Sequence, residues 1–138
     1  MEFAQVRDRV ETSAGAMESI DLSALSGVWV NSNPSTNGIA RMVMHESDGN
    51  LLLQVYAIGT EGLIDWGQGA VDVFTSSASS RTVAGFTCRY DFGFAETRLQ
   101  AMFAKGLMVL AQFHTFNDES GRVDYFVREY FALNHGRY

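Results

Sequence analysis

The sequence predicts an all-β fold, an eight-stranded up-and-down antiparallel barrel with a short N-terminal helix. From residue 27 onward, apolar and polar residues alternate with a period of two, which is typical of β-strands. Short connections rich in glycine, asparagine, aspartate and serine separate the alternating segments and favour tight turns. The 138 residues suit one domain with its own core. Closure into a barrel would remove exposed strand edges, whereas a β-sandwich would need longer crossing connections.

The one helical period lies at the N-terminus, where apolar residues recur at three- and four-residue steps over residues 2–19. These residues are Phe3, Val6, Val10, Ala14 and Met17. Asp21 to Leu25 then predicts a single turn before the first strand. We therefore expect a helix and lead-in turn over residues 1–25, a barrel over residues 26–133, and a tail over residues 134–138.

Eight strands are expected after the lead-in turn. They lie near residues 27–32, 38–46, 50–59, 68–75, 81–91, 95–104, 107–116 and 122–132. Asp48-Gly49 and Lys105-Gly106 mark tight hairpins between neighbouring strands. The glycine-rich stretch 59–69 is predicted to turn a corner or to cover a barrel mouth. Within it, Trp66 is either a stacking plate over a ligand or a residue that caps the core.

Composition and charge exclude several functions. The net charge is −6, which argues against nucleic acid and anionic membranes as partners. Cys88 is the only cysteine, so a disulfide within the chain is excluded, and a small buried hydrophobe is its expected role. The three histidines lack metal-ligand spacing, and glycine loops for phosphates or dinucleotides are missing. We expect no metal and no cofactor, and a cytoplasmic protein because the N-terminus lacks an apolar signal.

The first strand opens with Gly27-Val28-Trp29-Val30-Asn31, which resembles the start of calycin barrels, the superfamily of lipocalins, fatty-acid-binding proteins and avidins. The resemblance implies an inward Trp29 near one end of the barrel, with Arg128 of the last strand packed across the indole. Asn31 makes the opening similar to that of avidins, which implies an inward amide that binds the polar head of a ligand. Biotin is not implied, because the later tryptophans of the avidin site are missing.

The barrel interior is the expected ligand site, since eight strands enclose enough space for side chains or for one small ligand. The side chains expected to line it are Trp29, Asn31, Tyr56, Trp66, Phe86, Phe126, Arg128 and Tyr130. On the second strand, parity leaves either face inward, and burial energy favours Met42 and Met44 over Arg41 and His45. The seventh strand places His114 and Gln112 among apolar neighbours on one face, as ligand cavities do.

Three functions fit these features. The first is an intracellular barrel that binds a small apolar or aromatic molecule. The second is a cofactor-free cyclase or isomerase of a biosynthetic pathway, in which His114, Asp124 or Glu96 supplies an acid or base. For Glu96, a solvated face shared with Arg98 and Gln100 is the favoured alternative. The third is an interaction module with a filled barrel, for which a homodimer is the expected partner.

Overall fold

The computed structural model describes residues 22–134, which form a closed antiparallel barrel of eight strands in chain order. The strands are β1 (Gly27–Asn31), β2 (Ile39–Ser47), β3 (Asn50–Gly59), β4 (Gly62–Thr75), β5 (Val83–Asp91), β6 (Ala95–Ala104), β7 (Leu107–Phe116) and β8 (Tyr125–Asn134). Pairing of β1 with β8 closes the barrel. The predicted fold class is confirmed, and the architecture is consistent with a calycin-like fold. The helix predicted over residues 2–19 lies outside the described residues, as do residues 135–138 of the tail.

The tight hairpins follow the turn residues. Asp48 and Gly49 both have positive φ, 52° and 78°, and they join β2 to β3 as a two-residue loop. Lys105 and Gly106 have φ of 55° and 80° and join β6 to β7 in the same way. Two successive residues with positive φ form the turn type whose twist matches antiparallel strands. Both predicted hairpins are therefore confirmed.

Strand β4 is longer than the sequence predicts, because it begins at Gly62 rather than near residue 68. The register with β3 shifts so that Trp66 and Gly67 together oppose the single residue Val55. Gly67 has a φ of 84°, a conformation that glycine adopts without strain. The stretch predicted as a corner is therefore a bulged strand. The bulge directs the Trp66 ring to pack against the core.

One end of the barrel is filled with side chains, and we call it the closed end. The Trp29 side chain is 4% exposed, and its Nε1 donates a hydrogen bond of 2.9 Å to the carbonyl of Leu25. Leu25 ends the 3-10 turn Ser23–Leu25, which covers this end. The rings of Trp29 and Phe103 lie 5.6 Å apart, and Phe86 lies 6.1 Å from Phe103. These rings fill the centre of the closed end, beside a second cavity of about 380 Å³ lined by Leu22, Leu51 and Val73.

Strand β2 turns its methionines inward, as burial energy favours. Met42 is 0% exposed and Met44 is 1% exposed. A register irregularity between Ile39 and Arg41 lets Ile39 face inward as well. The opposite end of the barrel, which carries the connections 32–38, 60–61, 92–94 and 117–124, is called the open end below. Among the described residues, no helix has the length and apolar character that crossing a membrane requires.

Candidate functional site

A cavity of about 430 Å³ lies at the open end of the barrel. Four aromatic rings line it, together with a polar pair whose two residues are cross-strand neighbours on β6 and β7. The rings belong to Trp66, Phe92, Phe94 and Tyr125, and the polar pair is Thr97 and His114. Mostly apolar cavities of this size with a few polar groups are the usual form of small-molecule sites. The cavity is therefore the candidate ligand site.

The aromatic wall is held in place from behind. The Trp66 ring makes edge contacts with Phe92 at 5.1 Å and with Tyr90 at 5.5 Å between centroids. The Tyr90 hydroxyl lies 3.0 Å from the carbonyl oxygens of both Leu53 and Gly67, so it ties β5 to the bulged strand. Burial raises the pKa of Tyr90, which keeps this hydroxyl protonated and able to donate. The wall is thus a fixed surface for stacking a flat molecule.

His114 lines the cavity as its one histidine among the described residues. Its Nδ1 lies 2.8 Å from the Thr97 hydroxyl, and its ring stacks on Tyr125 with centroids 4.5 Å apart. Burial lowers the pKa of His114, because desolvation disfavours the charged imidazolium. The imidazole therefore stays neutral at pH values where an exposed histidine begins to protonate.

A partly buried carboxylate, that of Glu129, is linked to His114 through Gln112. Glu129 accepts hydrogen bonds from Asn31 Nδ2 at 2.9 Å, from Thr36 Oγ1 at 2.5 Å, and from Gln112 Nε2 at 3.0 Å. Three converging donors fit an ionised carboxylate, which can only accept. We call Glu129 and these three donors the Glu129 network. The network connects β1, the 32–38 loop and β7 to β8, so it holds the open end in shape.

The Glu129 network determines the proton position on His114. Since the Gln112 amide nitrogen donates to Glu129, the Gln112 oxygen faces the His114 ring, 3.4 Å from Nε2. An oxygen that only accepts favours the tautomer with the hydrogen on Nε2, 3.4 Å away. Nδ1 then carries a lone pair and accepts the hydrogen of Thr97. His114 is thereby held as one neutral tautomer with its basic nitrogen at Thr97.

Asn31 faces inward, as expected, but its amide is occupied by the protein. Both Nδ2 hydrogens are used, one by the Ile39 carbonyl and one by Glu129. The Asn31 side-chain oxygen accepts from the backbone of Asn33 at 2.8 Å. This geometry gives Asn31 a structural role at the start of the 32–38 loop. Its predicted contact with a ligand stays a prediction.

The structure divides the predicted ligand-lining residues into three groups. Trp66 and His114 line the cavity, as the sequence suggests. Trp29 and Phe86 face inward, but they fill the closed end instead of lining the cavity. The third group faces outward, and the expectation that its members line the interior is wrong. It consists of Tyr56, Phe126, Arg128 and Tyr130.

The alternation of β8 explains the outward group on that strand. Because Val127 and Glu129 face inward, Arg128 between them must face solvent. The packing of Arg128 across Trp29 that the resemblance implies is therefore wrong, and the Phe103 ring contacts the indole instead. Phe126, on the same outer face, lies 5.0 Å from Phe113. Tyr56 of β3 also lies outside, 5.1 Å below the Arg41 guanidinium.

The two carboxylates predicted as alternatives to His114 lie outside the cavity. Glu96 is on the outer face of β6, where it pairs with Arg89 at 2.8 Å and with Arg98 at 3.4 Å. The hydrogen bond from Arg89 lowers the pKa of Glu96, which suits a solvated ion pair. Asp124 accepts a hydrogen bond of 2.9 Å from the backbone of Phe116 and so anchors the 117–124 connection. Glu96 thus lies on the solvated face that the sequence favours for it, and an acid or base role for either carboxylate stays a prediction.

Sequence reasoning missed Thr97 and Glu129. Thr97 shares the inward parity of Leu99 and Ala101, opposite the charged face of β6. Glu129 shares the parity of Phe131, which is fully buried. In both strands, the apolar residues two positions away face inward, and this parity indicates that Thr97 and Glu129 face inward as well. A charged residue in register with buried aromatic residues indicates a buried polar network.

The remaining reactive groups do not form a second site among the described residues. Within residues 22–134, histidine, cysteine and acidic side chains do not gather in threes as a metal site would need. Cys88 is buried, and desolvation raises the pKa of its thiol to about 11. The thiolate is therefore scarce at neutral pH, in keeping with the expected role as a small hydrophobe.

The fold and the cavity define the class of protein as a closed eight-stranded antiparallel barrel with a small-molecule-sized cavity at one end. Comparisons of the chain with protein-family models, with curated proteins and with solved structures find no match.

Proposed function

We propose that this protein binds one small apolar or aromatic molecule in the cavity at the open end. The observation that carries the proposal is a cavity of about 430 Å³ that is lined by four aromatic rings and by the polar pair of Thr97 and His114. Burying flat apolar surface against aromatic rings provides affinity, and the polar pair provides orientation.

The exposure of the rim supports the same proposal. Phe94 is 50% exposed and Tyr125 is 51% exposed, and both rings border the cavity. Exposed aromatic side chains gathered around a cavity are typical of surfaces that a ligand covers. The filled-barrel interaction module is less well supported, because a cavity lined by aromatic side chains remains at the open end. The homodimer stays a prediction.

The test uses 1-methylindole, a flat aromatic probe without a hydrogen-bond donor. We expect isothermal titration calorimetry to show one site with a Kd on the order of 100 μM, as the efficiency of small ligands allows. Ala95, which is 7% exposed, borders the cavity, so Ala95→Phe should fill it and weaken binding at least tenfold. Ala70→Phe makes the same change on the exposed outer face of β4 and should bind like wild type.

Either of two results would contradict the proposal: no binding by the wild type, or equal binding by the Ala95→Phe and Ala70→Phe variants. Circular dichroism confirms that each variant folds. If Ala95→Phe does not fold, Trp66→Ala removes the central ring of the wall and should also weaken binding.

A second candidate function is a cofactor-free isomerase or cyclase in the same cavity. The observation that favours it is the single tautomer of His114, whose basic Nδ1 faces Thr97 and whose Nε2–H is backed by the Glu129 network. Such an imidazole could take a proton from a bound substrate through the Thr97 hydroxyl and return it elsewhere. The buried setting would exclude water from the reacting group.

The proton-transfer function predicts exchange catalysis. In D2O, the wild type should accelerate exchange of the protons next to the carbonyl of 2-tetralone, and His114→Phe should not. The exchange rate should rise with pH through a pKa below the ordinary histidine value of about 6.5, because burial lowers the pKa of His114 and the neutral base is required. Proton NMR measures the rates. Equal rates for the wild type and His114→Phe would remove this candidate and leave the binding proposal intact.

A further inference from the structure

We infer that the ligand carries a hydrogen-bond donor, an O–H or N–H group on its aromatic or apolar body, and that this donor binds the hydroxyl oxygen of Thr97. The inference rests on the proposed function of the cavity and names the chemistry of its ligand.

Glu129 sets the direction of the chain of hydrogen bonds that runs through Gln112 and His114 to Thr97. A carboxylate that receives three hydrogen bonds can only accept, so the Gln112 amide must present its nitrogen to Glu129. The Gln112 side chain is 2% exposed, so water cannot freely compete for either end of the amide. The Gln112 oxygen is therefore directed to His114.

The orientation of the Gln112 amide in turn sets which nitrogen of His114 donates and which accepts, and so the role of the Thr97 hydroxyl. A hydrogen on His114 Nε2 leaves Nδ1 as an acceptor, and Nδ1 lies 2.8 Å from the Thr97 oxygen. The single hydrogen of the Thr97 hydroxyl is thereby used. A hydroxyl oxygen also has two acceptor lone pairs, and among residues 22–134 this oxygen has no hydrogen-bond partner besides His114 Nδ1, which accepts from it. The Thr97 hydroxyl oxygen can thus accept a further hydrogen bond.

Burial makes this acceptor selective. Thr97 is 2% exposed, whereas Tyr125 at the rim is half exposed and can keep its water. Water reaches this oxygen poorly, so a ligand with a donor at this position is favoured over the same ligand without one. The buried Thr97 oxygen therefore selects a ligand whose head group donates a hydrogen bond.

The charge around the cavity excludes anionic heads. Asp65 borders the cavity, and its carboxylate accepts from the Gly67 backbone and from Gln54, each at 2.8 Å. The described residues that line the cavity include no lysine or arginine, and the net charge of the chain is −6. A neutral phenol, alcohol, indole or amide fits these groups, whereas a carboxylate would find no free cation nearby among the described residues, because Arg122 over the Phe94 ring is paired with Asp118.

The test compares indole with 1-methylindole, which differ in one N–H group. The measured quantity is the ratio of the two dissociation constants, Kd for 1-methylindole over Kd for indole. One neutral hydrogen bond changes affinity by about fivefold. We expect the ratio to fall by about that factor in Thr97→Val, which keeps the shape and removes the hydroxyl. Thr87→Val makes the same change on the outer face of β5 and should keep the wild-type ratio.

Each outcome decides between the two proposals. Equal ratios in the wild type and Thr97→Val, with both compounds bound, would overturn the donor inference while the binding function stands. No binding of either compound to the wild type would overturn the binding function and the inference with it. Thr97→Ser keeps the hydroxyl and should keep the ratio, and Thr97→Ala replaces Thr97→Val if the valine variant does not fold.

Discussion

Replacing Glu129 with leucine is expected to lower the free energy of unfolding by about 3–5 kcal/mol. The substitution removes the common acceptor of Asn31, Thr36 and Gln112 and leaves their donors at the edge of the core. Each unsatisfied buried donor costs about 1–3 kcal/mol, and the three costs do not add fully because the donors share one partner. The loss should appear as a lower urea midpoint, followed by circular dichroism.

Arg128→Leu is the matched control for Glu129→Leu. It makes a similar change one residue away, on the exposed outer face of β8, and should change the free energy of unfolding by less than about 0.5 kcal/mol. Similar losses in the two variants would show that Glu129 does not hold the open end together. Glu129→Gln should lie between the control and Glu129→Leu, since its oxygen can still accept.

Replacing Trp29 with alanine should cost about 3–5 kcal/mol, the range for removing a large aromatic side chain from a packed core. The indole is 4% exposed, contacts Phe103, and donates its hydrogen bond to Leu25. Its removal would leave a void at the closed end and release the covering turn. Urea unfolding measures the loss.

Trp66→Ala gives the comparison for Trp29→Ala, since the two are the only tryptophans of the chain. Trp66 borders the cavity, so water can enter the space that its ring leaves, and we expect a smaller loss of about 1–2 kcal/mol. A larger loss for Trp66→Ala than for Trp29→Ala would mean that the closed and open ends are assigned the wrong way round.

The barrel could be predicted from sequence because its signals are local. Alternation with a period of two and positive-φ turn residues such as Asp48-Gly49 need no knowledge of distant residues. The inward methionines of β2 were also predictable, since Met42 and Met44 are the less costly pair to bury. His114 was predictable because it shares a strand face with apolar residues.

The rest of the site depends on contacts between distant residues. Both faces of β8 mix aromatic and charged side chains, so local pattern cannot tell whether Arg128 or Glu129 faces inward. Pairing with β1 and β7 decides it, because this register brings the Glu129 carboxylate against three donors, those of Asn31, Thr36 and Gln112. The bulge at Trp66 is likewise a matter of register between β3 and β4. The cavity is thus shaped by the inward face of β8 and by the register of β3 with β4, neither of which local sequence determines.

The most direct test of a ligand cavity at the open end follows the two tryptophan indole N–H signals in a ¹⁵N-labelled protein during titration with unlabelled 1-methylindole. Trp66→Phe assigns the signals, because one tryptophan then remains. We expect the Trp66 signal to shift progressively while the Trp29 signal stays in place. A shift confined to Trp29, or no shift of either signal at saturating probe, would contradict the proposed site.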